Sequence, residues 1–141
     1  MIRRYDDKDL NEVLDAWYSA SQVAHPFLGE EFFEQERRNI ATLHLPKAET
    51  WVFERDGVVV GFLSLLGNEV GGLFVDAKSH GQGIGRALMD HARSMRDVLE
   101  LDVFKENRVG RKFYERYGFV QVGENTHEET GFPQLRLRLG C

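Results

Sequence analysis

Residues 80–88 read HGQGIGRAL, a glycine-rich turn placed directly before a helical pattern. An apolar run that ends at Val75 precedes the turn, and Ile84, Leu88 and Ala92 follow at helical spacing. The predicted order is therefore strand, glycine loop and helix. A junction of this kind presents unpaired backbone N–H groups and the positive end of the helix dipole, which favours binding of a phosphate group.

The spacing of the glycines excludes two common nucleotide-binding loops. A P-loop has Lys and then Ser or Thr after its last glycine, whereas Gly85 is followed by Arg86 and Ala87. A dinucleotide fingerprint has the spacing G-x-G-x-x-G, whereas Gly81, Gly83 and Gly85 lie two residues apart. Glycines that only permit a tight turn between strand and helix remain the alternative to a phosphate site.

A second segment, residues 107–119, reads NRVGRKFYERYGF. In it, Asn107 is followed seven residues later by Tyr114, and Gly-Phe comes soon after. Taken in order, the two segments resemble the signature motifs of the GNAT superfamily of N-acetyltransferases. Residues 80–88 resemble the pyrophosphate loop of that family. Two motifs in the expected order are far more specific than either one alone.

The chain departs from the family pattern at two positions. His80 stands where the loop of the family has Arg or Gln, and Gly110 stands where the family usually has Ala. The resemblance is greatest to small bacterial members with a His-Pro-Phe segment, which here is residues 25–27. Some of those members are protein-lysine acetyltransferases.

Periodicity and resemblance together predict an α/β (α+β) fold, formed by a single N-acetyltransferase domain over residues 1–141. It should contain a mixed, mainly antiparallel central sheet flanked by about four helices. The expected second helix runs from about Glu30 to His44 with Phe33, Ile40 and Leu43 inward. Asp56-Gly57 predicts a hairpin. The other expected strands are residues 2–5, 50–55, 58–66, 99–103, 119–122 and 134–139, and the last is expected to be an exposed edge that supports a homodimer.

The resemblance implies that acetyl-CoA is the cosubstrate. It places the pantetheine arm of the cofactor against two parallel strands that splay apart, and the pyrophosphate on the glycine loop. Asn107 is also expected to contact the cofactor. The resemblance also implies that a backbone N–H in the Leu73 to Val75 segment stabilises the oxyanion, and that Tyr114 donates a proton to the departing CoA sulfur. The expected cofactor-binding residues are Leu73, Phe74, Val75, Gly81, Gln82, Gly83, Ile84, Gly85, Arg86 and Asn107.

Catalysis also requires a neutral amine, because only about one part in a thousand of an alkylammonium is neutral at pH 7. Asp102 is the first candidate for the base, Glu69 the second and Glu100 a weaker third. A solvated or salt-bridged surface group is the alternative for each carboxylate. His25 is expected in the wall of the acceptor site, or as a cap of its own loop.

Composition limits the class of partner. A net charge of −5 argues against nucleic-acid binding, and no apolar run is long enough to span a membrane. The N-terminus lacks a signal-peptide pattern and the single cysteine is Cys141, so a cytoplasmic protein is expected. No histidine spacing predicts a metal site. The expected partner is an amine-bearing substrate. The sequence does not choose among a peptide lysine, a protein N-terminus, a polyamine, an aminoglycoside and an amino acid as the acceptor. A non-catalytic CoA-binding sensor is the alternative class.

Overall fold

The computed structural model describes residues 1–140, and Cys141 lies outside the described residues. Seven strands form one sheet in the order β1-β2-β3-β4-β5-β7-β6, and only the β4–β5 pair is parallel. The predicted mixed, mainly antiparallel sheet with four helices is confirmed. The strands are β1 (Ile2–Arg4), β2 (Glu49–Arg55), β3 (Val58–Leu66), β4 (Glu69–Val75), β5 (Leu99–Phe104), β6 (Val120–Thr126) and β7 (Pro133–Leu139), and the helices are α1 (Leu10–Ala24), α2 (Glu30–Asn39), α3 (Ile84–Met95) and α4 (Arg108–Tyr117).

The hairpin between β2 and β3 forms at the dipeptide that predicted it. Asp56 and Gly57 both have positive φ, 53° and 79°, which is the backbone of a type I′ turn. Arg55 pairs with Val58 across this turn, so the register of the first antiparallel pair is fixed locally. No helix within residues 1–140 combines the length and the hydrophobicity that a membrane span requires.

The sheet separates between β4 and β5. These strands pair at one position, Glu69 with Glu100, although each has a continuous antiparallel partner on its other side. The strands therefore diverge from that point towards their carboxyl ends. We call this opening the split.

The helices cover the two faces of the sheet and form two apolar clusters. On one face α1 and α2 pack with Val52, Phe62 and Phe104, while on the other α3 and α4 pack with Leu63 and Leu101. These residues alternate along their strands, as the two-residue period of a strand requires. The split is consequently flanked by α1 on one side and by α3 and α4 on the other.

The prediction that the final strand is an exposed edge is wrong. β7 lies between β5 and β6 and pairs with both, so the edges of the sheet are β1 and β6. The alternation of apolar and polar residues in β7 shows only that one face of the strand is buried, with Leu135 and Leu137 in the core. It carries no information on whether neighbouring strands pair with its backbone. β6 also extends to Thr126, four residues beyond the predicted end of the strand at residue 122. A homodimer formed through a free β7 edge is therefore excluded by the pairing.

The second predicted helix changes type before it ends. The α-helix stops at Asn39 and a π-helical turn covers Ile40–His44, in which the Leu45 N–H donates to the Ile40 carbonyl at 2.9 Å. The wider turn rotates the side chains that follow it. As a result Leu43, predicted to point inward, is 49% exposed, and Leu45 is buried at 8%.

This change of phase predicts unequal effects of two leucine truncations. Leu45→Ala should lower the free energy of unfolding by about 2–4 kcal/mol, because it leaves a cavity in the α1–α2 cluster. Leu43→Ala should change it by less than about 0.5 kcal/mol. Urea unfolding of both variants measures the difference in the free energy of unfolding. Equal losses would contradict the outward position of Leu43 and the inward position of Leu45 that the π-helical turn produces.

Candidate active site

The glycine loop is shaped by two glycines with positive φ. Gly81 has φ 77° and Gly83 has φ 81°, and a Cβ at either position would meet open space but a strained backbone. His80 closes the loop onto the preceding strand, since its Nε2 lies 2.7 Å from the Val75 carbonyl and donates to it. The loop is thereby held beside the carboxyl end of β4.

The backbone of this loop presents unpaired donors. The first hydrogen bond of α3 runs from the Ala87 N–H to the Gly83 carbonyl at 3.0 Å, and the N–H groups of residues 81–86 have no acceptor among the described residues. All of these residues except Gln82 border a cavity of about 590 Å³ that also contacts α4, which we call the α3 cavity. Because the donors lie at a helix N-terminus, this cavity fits a pyrophosphate.

The split exposes further backbone donors. The Asp76 N–H donates to the Val60 carbonyl of β3 at 2.8 Å, which fixes the direction in which alternate N–H groups of β4 point. By that alternation the N–H groups of Leu73 and Val75 point away from β3, towards the side from which β5 has diverged. Backbone donors in this position suit a ligand with carbonyl or amide groups.

A second cavity lies on the opposite side of the split. This α2 cavity, of about 450 Å³, is bordered by α1, by α2 with its π-helical turn, and by the ends of β4 and β5. Four residues border both cavities: Leu73, Phe74, Asn107 and Tyr114. Two ligands, one in each cavity, would therefore meet at these four residues.

Tyr114 lies at that meeting point. It is 9% exposed, it packs against Phe113 and Phe119, and its hydroxyl has no hydrogen-bond partner among the described residues. Burial raises the pKa of the phenol above its ordinary value, since the phenolate would be poorly solvated. The hydroxyl is consequently protonated at neutral pH and free to donate.

Asn107 begins α4 and connects it to the loop between α1 and α2. Its Oδ1 accepts the Gly110 N–H at 2.8 Å, so the amide presents Nδ2 to His25 Nε2 at 3.3 Å. A Cβ at Gly110 would come within 2.5 Å of that Nδ2, which explains the glycine where the family usually has Ala. Burial lowers the pKa of His25 to about 4, and the imidazole is a neutral acceptor at Nε2.

The three candidate carboxylates converge on Arg136. The guanidinium binds both oxygens of Glu69 at 2.5 Å and lies 3.3 Å from Asp102 and 3.2 Å from Glu100. Asp102 also accepts a hydrogen bond from Asn125 at 2.9 Å. Asp102 and Glu69 border the α2 cavity and Glu100 borders neither cavity, so the structure separates the first two candidates from the third.

Two arginines at the site were missed from the sequence. Arg55, at the end of β2, donates to Ser79 at 2.9 Å and to Gln82, which ties the hairpin to the glycine loop. Arg136 neutralises part of the acidic cluster. Neither arginine belongs to a local motif, because each contact joins segments that are distant in sequence. The alternating pattern of β7 predicted a strand around Arg136 but gave no indication of its ion pairs. Within residues 1–140, no three or more His, Cys, Asp or Glu side chains are arranged so that they could hold a metal ion.

Comparison with known proteins gives one family and consistent relatives. The family described as "Acetyltransferase (GNAT) domain" matches residues 46–121. The peptidyl-lysine N-acetyltransferase YiaC of Escherichia coli is 31% identical over 134 residues, which cover 94% of this chain and 92% of YiaC. The peptidyl-lysine N-acetyltransferase YjaB of the same organism is 34% identical over 140 residues, which cover 98% of this chain and 94% of YjaB.

Solved structures agree with the sequence matches. The solution structure of apo YjaB superposes with a TM-score of 0.88 at 30% identity, covering 100% of this chain and 98% of YjaB. The PaiA N-acetyltransferase of Thermoplasma acidophilum, solved in complex with coenzyme A, shares the fold with a TM-score of 0.80 at 18% identity, covering 100% and 98% of the two chains. The motif order, the split sheet and these matches lead to one conclusion: the chain belongs to the GNAT acetyltransferases and is an acetyl-CoA-dependent N-acetyltransferase.

Proposed function

We propose that this enzyme acetylates the ε-amino group of lysine side chains in peptides or proteins. The observation that carries the proposal is the pair of cavities that meet at Leu73, Phe74, Asn107 and Tyr114. The names of YiaC and YjaB support a peptide-lysine acceptor. A lysine also matches the α2 cavity, in which aromatic walls suit an alkyl stem and acidic groups at the rim attract a cation.

Acetyl-CoA would occupy the α3 cavity. The N–H groups of residues 81–86 and the dipole of α3 would bind its pyrophosphate, while Leu73 and Val75 would donate backbone hydrogen bonds along the split. Asn107 would contribute by holding the N-terminus of α4 beside the same cavity. The thioester would then lie near Tyr114, where the α2 cavity begins.

The acetyl thioester supplies an activated carbonyl for attack by a neutral amine. Negative charge that develops on the carbonyl oxygen would be stabilised by a backbone N–H of the Leu73 to Val75 segment. Tyr114 would donate its proton to the departing sulfur, a role that suits a buried phenol whose pKa is raised. Asp102, or Glu69 in its place, would accept the proton of the incoming ammonium directly or through water.

Competition between acceptors tests the proposed function. Free CoA release should be fastest with lysine-containing peptides whose N-terminus is blocked, and mass spectrometry should find acetylation at the lysine side chain. Faster turnover of a polyamine, an aminoglycoside or a free amino acid under the same conditions would replace the peptide acceptor by a small molecule. Binding of acetyl-CoA without turnover of any acceptor would favour a sensor.

Gly83→Asp should abolish most acetyl-CoA binding, because it places a side chain and a negative charge in the phosphate cradle and strains a left-handed residue. Gly57→Asp is the matched control, since Gly57 also has positive φ and open space but lies in the β2–β3 turn. Isothermal titration should show a loss of at least about tenfold in affinity for the first variant only. If folded Gly83→Asp binds as wild type does, the loop is not the pyrophosphate site.

Tyr114→Phe should lower kcat by about 10²–10⁴-fold and leave the Kd for acetyl-CoA nearly unchanged, because it removes a proton donor used in the transition state and keeps the ring. Tyr5→Phe, at a residue that borders neither cavity, is the control. The measurement requires conditions in which the chemical step limits the rate. An unchanged kcat under those conditions removes Tyr114 from the mechanism.

The identity of the base is tested by pH profiles. The log of kcat/KM should rise with pH, and Asp102→Asn should flatten or displace that rise more than Glu69→Gln, because Arg136 binds both oxygens of Glu69 at 2.5 Å but lies 3.3 Å from Asp102. Glu100→Gln changes a third partner of Arg136 outside both cavities and should have the smallest effect. If Glu69→Gln alone abolishes the pH dependence, the two roles are exchanged.

A further inference from the structure

A serine in the last turn of α1, Ser21, has no hydrogen-bond partner among the described residues for its side chain. Ser21 is 0% exposed, and its Oγ makes no hydrogen bond with any described residue. Helical serines commonly donate to the carbonyl four residues before them, but Ser21 does not. Ser19, two residues earlier, shows the ordinary situation: its hydroxyl donates to Asp76 at 3.0 Å and accepts the Ala77 N–H at 3.0 Å.

An unpartnered buried hydroxyl is unfavourable for the free protein. It has lost its hydrogen bonds to water and gained none in return, whereas alanine at the same position would have no polar group to satisfy. The Ser21 hydroxyl therefore lowers the stability of the unliganded fold. Structural packing does not account for it.

The position of Ser21 relates this hydroxyl to the active site. It borders the α2 cavity, and His25, the residue that directly follows α1, borders the same cavity. The cavity is otherwise largely aromatic near α1, with Trp17, Phe33 and Phe74 in its wall. His25 Nε2 already accepts a hydrogen bond from Asn107, whereas Ser21 Oγ is a fully buried polar atom of α1 in this wall whose hydrogen-bonding capacity is unused.

We propose that Ser21 Oγ accepts a hydrogen bond from an N–H of the acceptor amine and thereby orients the amine lone pair towards the split. Rotation about χ1 moves a serine hydroxyl between staggered positions without displacement of the helix, so the proposed contact requires only that Oγ leave its covered position when the acceptor binds. The bond satisfies the hydroxyl and fixes the direction of attack. This inference rests on the proposed assignment of the α2 cavity to the acceptor.

Ser21→Ala tests the proposal, with Ser19→Ala as the matched control on the same helix. Ser21→Ala should raise Tm by about 2–6 °C, because it removes an unsatisfied polar group. Ser19→Ala should lower Tm, because it leaves the Ala77 N–H and Asp76 without their partner. A decrease in Tm for Ser21→Ala would show that its hydroxyl is satisfied in the free protein and would overturn the proposal.

The same variants are compared in turnover of the best acceptor of the wild-type enzyme, peptide or small molecule. Ser21→Ala should reduce kcat/KM for the acceptor by about tenfold and leave the Kd for acetyl-CoA unchanged. Ser19→Ala should have the same KM for the acceptor as the wild type. An unchanged kcat/KM in Ser21→Ala refutes the role of Ser21. Failure of the wild type on lysine peptides refutes the proposed acceptor instead, so the two failures are distinguishable.

Discussion

The limited pairing between β4 and β5 is the constraint on which the site depends. A sheet normally uses every backbone donor of an internal strand, but these two strands share one paired position. Their outer partners, β3 and β7, keep each strand rigid, so the divergence does not loosen the fold. The backbone left free at the split becomes a binding surface, and α3, α4 and α1 close it from both faces.

Charge is distributed so that the interior of the site stays neutral. Tyr114 is a protonated phenol and His25 a neutral imidazole, because burial disfavours the charged form of each. Asp102 and Glu69 lie at the rim and share Arg136. The same desolvation acts on an ammonium that enters the α2 cavity, lowering its pKa and favouring the nucleophilic amine. In the proposed mechanism, burial in the α2 cavity and a carboxylate base therefore both favour the neutral amine.

The sequence predicted the parts of this site that are local in the chain. The Asp56-Gly57 hairpin and the turn at the glycine loop each depend on residues within a few positions of one another. The position of β7 beside β5, and the contacts of Arg136 with three carboxylates, depend on which strands pair in the folded protein. The alternation of apolar and polar residues along a strand does not encode that pairing. The π-helical turn at Ile40 was missed because a helical pattern with one extra residue per turn still looks helical. The unsatisfied state of Ser21 is visible only once its surroundings are known.

Asn107 has a consequence that extends beyond the cap it provides. The same amide holds the first turn of α4 through Oδ1 and contacts the α1–α2 loop through Nδ2. A ligand that shifts this amide from the α3 side alters the wall of the α2 cavity, and the reverse holds equally. By thermodynamic reciprocity, whatever free energy acetyl-CoA transmits to the acceptor through Asn107 is returned in full when the acceptor binds first. On the proposed assignment of the two cavities, Asn107 therefore couples the affinity for acetyl-CoA to the affinity for the acceptor.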